Sequence, residues 1–166
     1  MITDLYKDPI CARYAKLITD VNKTIKRVYF GEPIRIGASE LPALIIEKTD
    51  TSIRPFTNME DQHDIKINFT IVTDVRQTIS DDKQLVAGFA SLYNIIEGRD
   101  ATYKLKVDSI LGILRKNAEV DPGLNLRTDL ETASRAVYGM TLGKRQDDHF
   151  SIEGSVQITA HFIQLR

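Results

Sequence analysis

From Asp64 to Val75 the chain alternates with a period of two. Ile65, Ile67, Phe69, Ile71, Thr73 and Val75 share one face, and Asp64, Lys66, Asn68, Thr70 and Asp74 share the other. A helix would scatter those apolar positions around its axis, whereas a strand sends successive side chains to opposite sides. The segment therefore predicts a long strand with one buried face and one wet face. Whatever else the chain does, it must cover that apolar face.

Helical periodicity supplies the cover. Tyr14, Leu17, Ile18, Val21, Ile25 and Val28 recur at the spacing of one buried stripe, opposite Lys16, Asp20, Asn22, Lys23, Lys26 and Arg27. Pro9 suits the first turn, and Gly31 and Pro33 are expected to stop the helix. A second helix is predicted after Ser80, with Asp81 and Asp82 at the positive end of its dipole. It is expected to bury Leu85, Val86, Phe89, Leu92, Tyr93 and Ile96 and to end at Gly98. A third, short helix is expected from Asp108 or Ser109, burying Ile110, Leu111, Ile113 and Leu114.

Ala43 to Ile46 reads as a short buried strand, followed by a turn-rich stretch from Thr49 to Asn58. Val137 to Leu142 and the alternating stretch from Ile152 to Ile163 read as the two arms of a hairpin joined by a polar loop. No linker or internal repeat interrupts this order. The expected fold is α+β, one domain over residues 1–166, with a mixed, mostly antiparallel sheet and an N-terminal helix plus two further helices packed on it.

Composition limits the chemistry. In 166 residues, 22 basic side chains face 23 acidic ones, for a net charge of −1, so there is no basic excess of the kind a dedicated nucleic-acid binder carries. Cys11 is the single cysteine, which rules out an internal disulfide and suits a reducing compartment. No apolar run approaches the roughly 20 residues of a membrane helix. The first residues are not expected to be a signal peptide, since no basic stretch precedes an apolar one.

Candidate motifs mostly resolve into ordinary structure. Gly139-Met-Thr-Leu-Gly143-Lys144 is one residue short of a phosphate loop and is followed by Arg145 in place of Ser or Thr, so a hairpin corner is the better reading. His63, His149 and His161 are too dispersed for close-spaced zinc ligands, and Asp147-Asp148-His149 reads as a solvated loop. Cys11 lacks a neighbouring base and reads as a packing residue. Glu60-Asp61 opens a strand and Asp81-Asp82 opens a helix. No catalytic residue, cofactor or metal is expected. Phe56 and Met59, beside Arg54 and Pro55, have the composition of an interface core.

Three stretches together point further. The first is Leu41-Pro-Ala-Leu-Ile-Ile-Glu47 leading into Asp61-Gln-His-Asp-Ile-Lys-Ile-Asn-Phe-Thr-Ile-Val-Thr-Asp-Val-Arg76. The second is Leu92-Tyr-Asn-Ile-Ile-Glu-Gly-Arg99 followed by Val107-Asp-Ser-Ile-Leu-Gly-Ile-Leu-Arg-Lys-Asn117. The third is Phe150-Ser-Ile-Glu-Gly-Ser-Val-Gln-Ile-Thr-Ala-His-Phe162. In this order, and with the leading helix, the chain resembles the tail terminator (tail completion) proteins of long-tailed bacteriophages.

The resemblance implies a structural virion protein rather than an enzyme. Such proteins form a homohexameric ring on the tail tube, end its polymerisation and present a surface to the neck or head-completion protein. DNA passes through the lumen without sequence-specific binding, and near-neutral charge suits a channel that must not grip phosphates. The expected location is the head-proximal end of the virion tail, assembled in the host cytoplasm and away from any membrane. Subunit or partner contacts are expected at Arg54, Phe56, Met59 and Asp61 in one loop and at Lys144, Arg145 and Asp147 in another. Glu60, Asp61 and Asp64 are the expected lumen-facing residues. A neck or head-completion connector is the alternative within the same machine, and an α+β small-molecule or nucleic-acid binding module the alternative outside it.

Overall fold

The computed structural model describes residues 7–74, 82–133, 135–142 and 150–166. Helix α1 (Pro9–Val21) starts where its sequence says it should. The Asp8 carboxylate accepts from the N–H groups of Ile10 (2.9 Å) and Cys11 (3.2 Å), and Pro9 occupies the first turn, where no N–H is needed. It ends earlier than its periodicity predicts. The Asn22 side-chain amide donates to the Asp108 carbonyl at 2.8 Å, while its oxygen accepts from Thr24 N–H and Oγ1. A buried Asn tied to a distant loop and to its own downstream backbone competes with another helical turn. The chain turns extended, and Val28 falls in strand β1 (Arg27–Phe30) instead of on the helix.

Strands β2 (Ala43–Pro55) and β3 (Glu60–Asp74) form a long hairpin. The stretch read as turn-rich is mostly strand, and the bend is confined to residues 56–59. A bulge between Lys48 and Asp50 re-registers β2, after which Thr51 to Pro55 pair with β3. Polar Thr, Ser and Asp residues tolerate this because β3 supplies the partner groups. Pro55 lies at the strand end, where a missing donor costs little.

Helix α2 (Asp82–Glu97) precedes helix α3 (Ile110–Lys116), which starts where expected and is capped by Ser109, whose hydroxyl accepts from Gly112 N–H at 3.2 Å. Short strands β4 (Glu119–Asp121) and β5 (Leu126–Thr128) flank the Pro122 and Gly123 turn. Their three-residue length is too short for alternation to reveal. Strands β6 (Ala136–Leu142) and β7 (Phe150–Leu165) are the expected antiparallel hairpin arms.

The result is an α+β fold with one curled, mostly antiparallel sheet, seven-stranded among the described residues, in the order β1-β2-β3-β7-β5-β4 with β6 also on β7. Only the β1–β2 pair is parallel among those described. Ile65, Ile67, Phe69 and Ile71 of β3 lie on the inner face, flanked by Leu44 and Ile46 of β2 and by Val156, Ile158 and Ala160 of β7. Tyr14 and Ile18 of α1, Leu92 and Ile96 of α2, and Ile113 of α3 close over them. Each buried Ile or Leu contributes about 1.5–3 kcal/mol. Tyr93, expected in the α2 stripe, is exposed at its rim and meets Tyr138 edge-on, ring centroids 4.7 Å apart. Gly154 lets α2 approach β7: a Cβ there would collide with the Ile96 methyl and lie 2.8 Å from the Tyr138 ring. On the opposite face, Tyr29, Ile36, Leu41, Ala43, Ile45 and Val72 form a smaller second core.

Candidate functional site

The sheet has two parts. Below about Ile65 in the hairpin, helices cover its inner face. Above it, β2, β3 and the end of β7 run on as a three-stranded antiparallel ribbon, with Thr51–Pro55 paired to β3 and residues 60–65 of β3 paired to residues 160–165 of β7. The three strands are joined at the tip. Phe56 N–H donates to the Glu60 carbonyl and Arg166 N–H to the Met59 carbonyl, both at 2.9 Å.

The tip is apolar and open. Ile53 is 60% exposed, Phe56 55%, Met59 71% and Leu165 70%. Four large apolar side chains on one projection exceed the scattered exposure of an ordinary surface. On the face continuing from the core, the His63 ring stacks on Phe162 with centroids 4.4 Å apart, and Ile53 is paired with His63.

The other face is held by charge. Asp64 receives Gln62 Nε2 at 2.8 Å, lies 2.6 Å from His161 Nδ1 and 3.4 Å from the Arg54 guanidinium. Partial burial pushes its carboxyl up, but the Gln62 and His161 hydrogen bonds and the Arg54 charge outweigh that and hold it below the usual range. Lys66 and Asp50 pair at 3.2 Å across β2 and β3. On the core-continuing face, Arg166 grips Asp61 with two nitrogens, at 2.7 and 2.8 Å, and holds that carboxyl low as well. These pairs lock the three strands at a stage where no helix supports them.

The expected contact residues therefore divide. Phe56 and Met59 stand in the turn with their side chains exposed. Arg54 and Asp61 lie in strands, not in a loop, and their charges are engaged inside the ribbon. Glu60 begins β3 and accepts from Thr57 Oγ1 at 3.1 Å, and Asp64 is bound on three sides. Lys144, Arg145 and Asp147 lie outside the described residues, as does His149. Sequence reasoning missed Ile53, Phe162 and Leu165. The clean alternation of the last arm contained the signal, but only the β3–β7 register places Phe162 beside His63.

Other chemistry was sought in the same way. His63 and His161 project from opposite faces of the ribbon, and among the described residues no group of three or more His, Cys, Asp or Glu side chains is placed to hold a metal ion. Cys11 is buried, and burial together with the nearby Asp8 charge pushes its thiol up to about 12, so it stays neutral. The phosphate-loop-like run begins inside β6, as extended strand rather than as a turn into a helix. A cavity of about 340 Å³ on the wet face of the sheet collects Glu32, Glu47 and Glu153 beside Asn68 and Tyr138. Among the described residues no helix is long and apolar enough to cross a membrane. No family model matches the chain, and no curated protein matches it.

Proposed function

We propose that this chain is a structural assembly protein that caps a bacteriophage tail tube as a homohexameric ring, ending tube growth and offering a surface to the neck or head-completion protein. The observation that carries the reading is the projecting ribbon with Ile53, Phe56, Met59 and Leu165 exposed at its tip. Such a projection is costly in an isolated monomer and useful in an assembly, because it brings apolar area to a neighbour without uncovering the core. A closed ring needs two different complementary patches on each subunit, and an arm reaching outward supplies one of them. The net charge of −1 suits a lumen through which DNA slides without being held. In this reading the ring sits at the head-proximal end of the virion tail.

Light scattering across a concentration series, with electron microscopy of the same sample, tests the reading. A sixfold ring is the expected result, either free or on added tail tubes. A strict monomer that tubes do not recruit would overturn it.

A further inference from the structure

The ribbon tip needs a receptor, and the α1–β1 side of the fold has a suitable one. Between α1 and β1 runs an open groove of about 670 Å³. Its floor is Ala12, Ala15, Val28 and Phe30, all at least half covered by their own neighbours yet still reaching the groove. Lys7, Arg13 and Lys16 line the rim. Arg13 is paired with Asp121 and Lys16 with Asp20, each at 2.6 Å, which leaves Lys7 as the rim cation with charge to offer. Lys7 lies 4.9 Å from the centre of the Phe30 ring and forms no ion pair among the described residues.

The tip matches it in kind. Phe56 and Met59 are the apolar knob. Beside them Glu60 is held by the Thr57 hydroxyl and has no ion-pair partner among the described residues, while Arg54 is turned back on Asp64. A protruding apolar knob with a carboxylate at its base is thus set against an apolar groove with Lys7 at its rim.

A subunit cannot fill its own groove. Lys48 lies at the groove end of β2, tied to Asp8 at 2.9 Å. From there the strand carries Phe56 about 25 Å away, at the rise of an extended chain. Knob and groove are different patches at separated places, which is the condition for a head-to-tail interface that closes into a ring.

We infer that the Phe56–Met59 tip of one copy docks in the α1–β1 groove of the next, with Glu60 directed at Lys7 on the rim. The inference rests on the ring reading and specifies its subunit contact. Paired cysteines test it. Met59 and Lys16 are exposed and can be replaced without touching the core, and the native Cys11 is buried and held as the neutral thiol. A chain carrying both Met59→Cys and Lys16→Cys, treated with a short bismaleimide, should give a covalent ladder ending at the ring. Each single variant should give none, and a mixture of the two singles should give dimers alone. A ring seen by light scattering without crosslinking of the double variant would overturn the docking and leave the ring reading standing. Dimers from Met59→Cys alone would show tip meeting tip and overturn the head-to-tail contact. A monomer at every concentration that added tail tubes do not recruit, with no crosslink, would overturn both.

Discussion

The same three strands behave as two materials along their length. In the lower half, β2, β3 and β7 lie beneath the helices and hold the sheet by apolar burial: Ile67, Phe69 and Ile158 are at most 1% exposed. In the ribbon, the same strands carry Arg54, Asp61, Asp64, His161 and Arg166, and cohesion comes from backbone pairing and cross-strand charge. The difference shows how a protein builds an arm: hydrophobic burial anchors one end, and charge pairs keep the unsupported end in register without consuming the apolar residues at its tip.

The contrast is sharpest in truncations to alanine. Ile67→Ala should cost about 2–5 kcal/mol in urea unfolding, because a cavity opens under α1 and α2, whereas Ile53→Ala should stay within about 0.5 kcal/mol. Equal losses at the two sites would mean that the ribbon is packed against something within the monomer. Gly154→Val should lose about 1–3 kcal/mol by driving a side chain into Ile96 and Tyr138. The same unfolding experiment checks it, and a neutral result would show that α2 can lift off β7 freely.

Asp8→Ala should cost about 1 kcal/mol by uncapping α1, with faster hydrogen exchange at Ile10 and Cys11. Since Asp8 also holds Lys48 at the border of the two halves, any loosening should extend to β2 but not to the tip. Acid should produce the smallest and most local effect. The Asp64 carboxyl is held below its ordinary value of 3.8, so the stability it lends is fully present above that pH and is lost as pH falls below it. Exchange protection, corrected for the intrinsic rate, should drop around Ser52 and Gln62 before it drops at Ile67 and Phe69. Simultaneous loss in both halves would break the distinction between them.

Much of the framework was legible beforehand. Pro9 in the first turn of α1, the start of α3 near Ser109, the alternation of β3 and the closing hairpin all depend on residues close together in the chain, and each formed as expected. What was not legible depended on residues far apart. Asn22 ends α1 by reaching the Asp108 carbonyl, and the polar stretch after Lys48 becomes strand because β3 is there to pair with it. The site suffered most, since Phe56 and Met59 could be read as interface residues while Ile53, Phe162 and Leu165 could not.

By itself the sequence determined where the helices and the longest alternating strands lie and which face of each seeks cover, because period and turn residues act within a few positions of one another. The tertiary structure alone decided where the cover stops. Coverage depends on helix lengths, on a bulge and on the β3–β7 register, which set neighbours from opposite ends of the chain side by side. That boundary turns the upper sheet into an exposed arm, since the strand pattern runs through it while the helices above it do not.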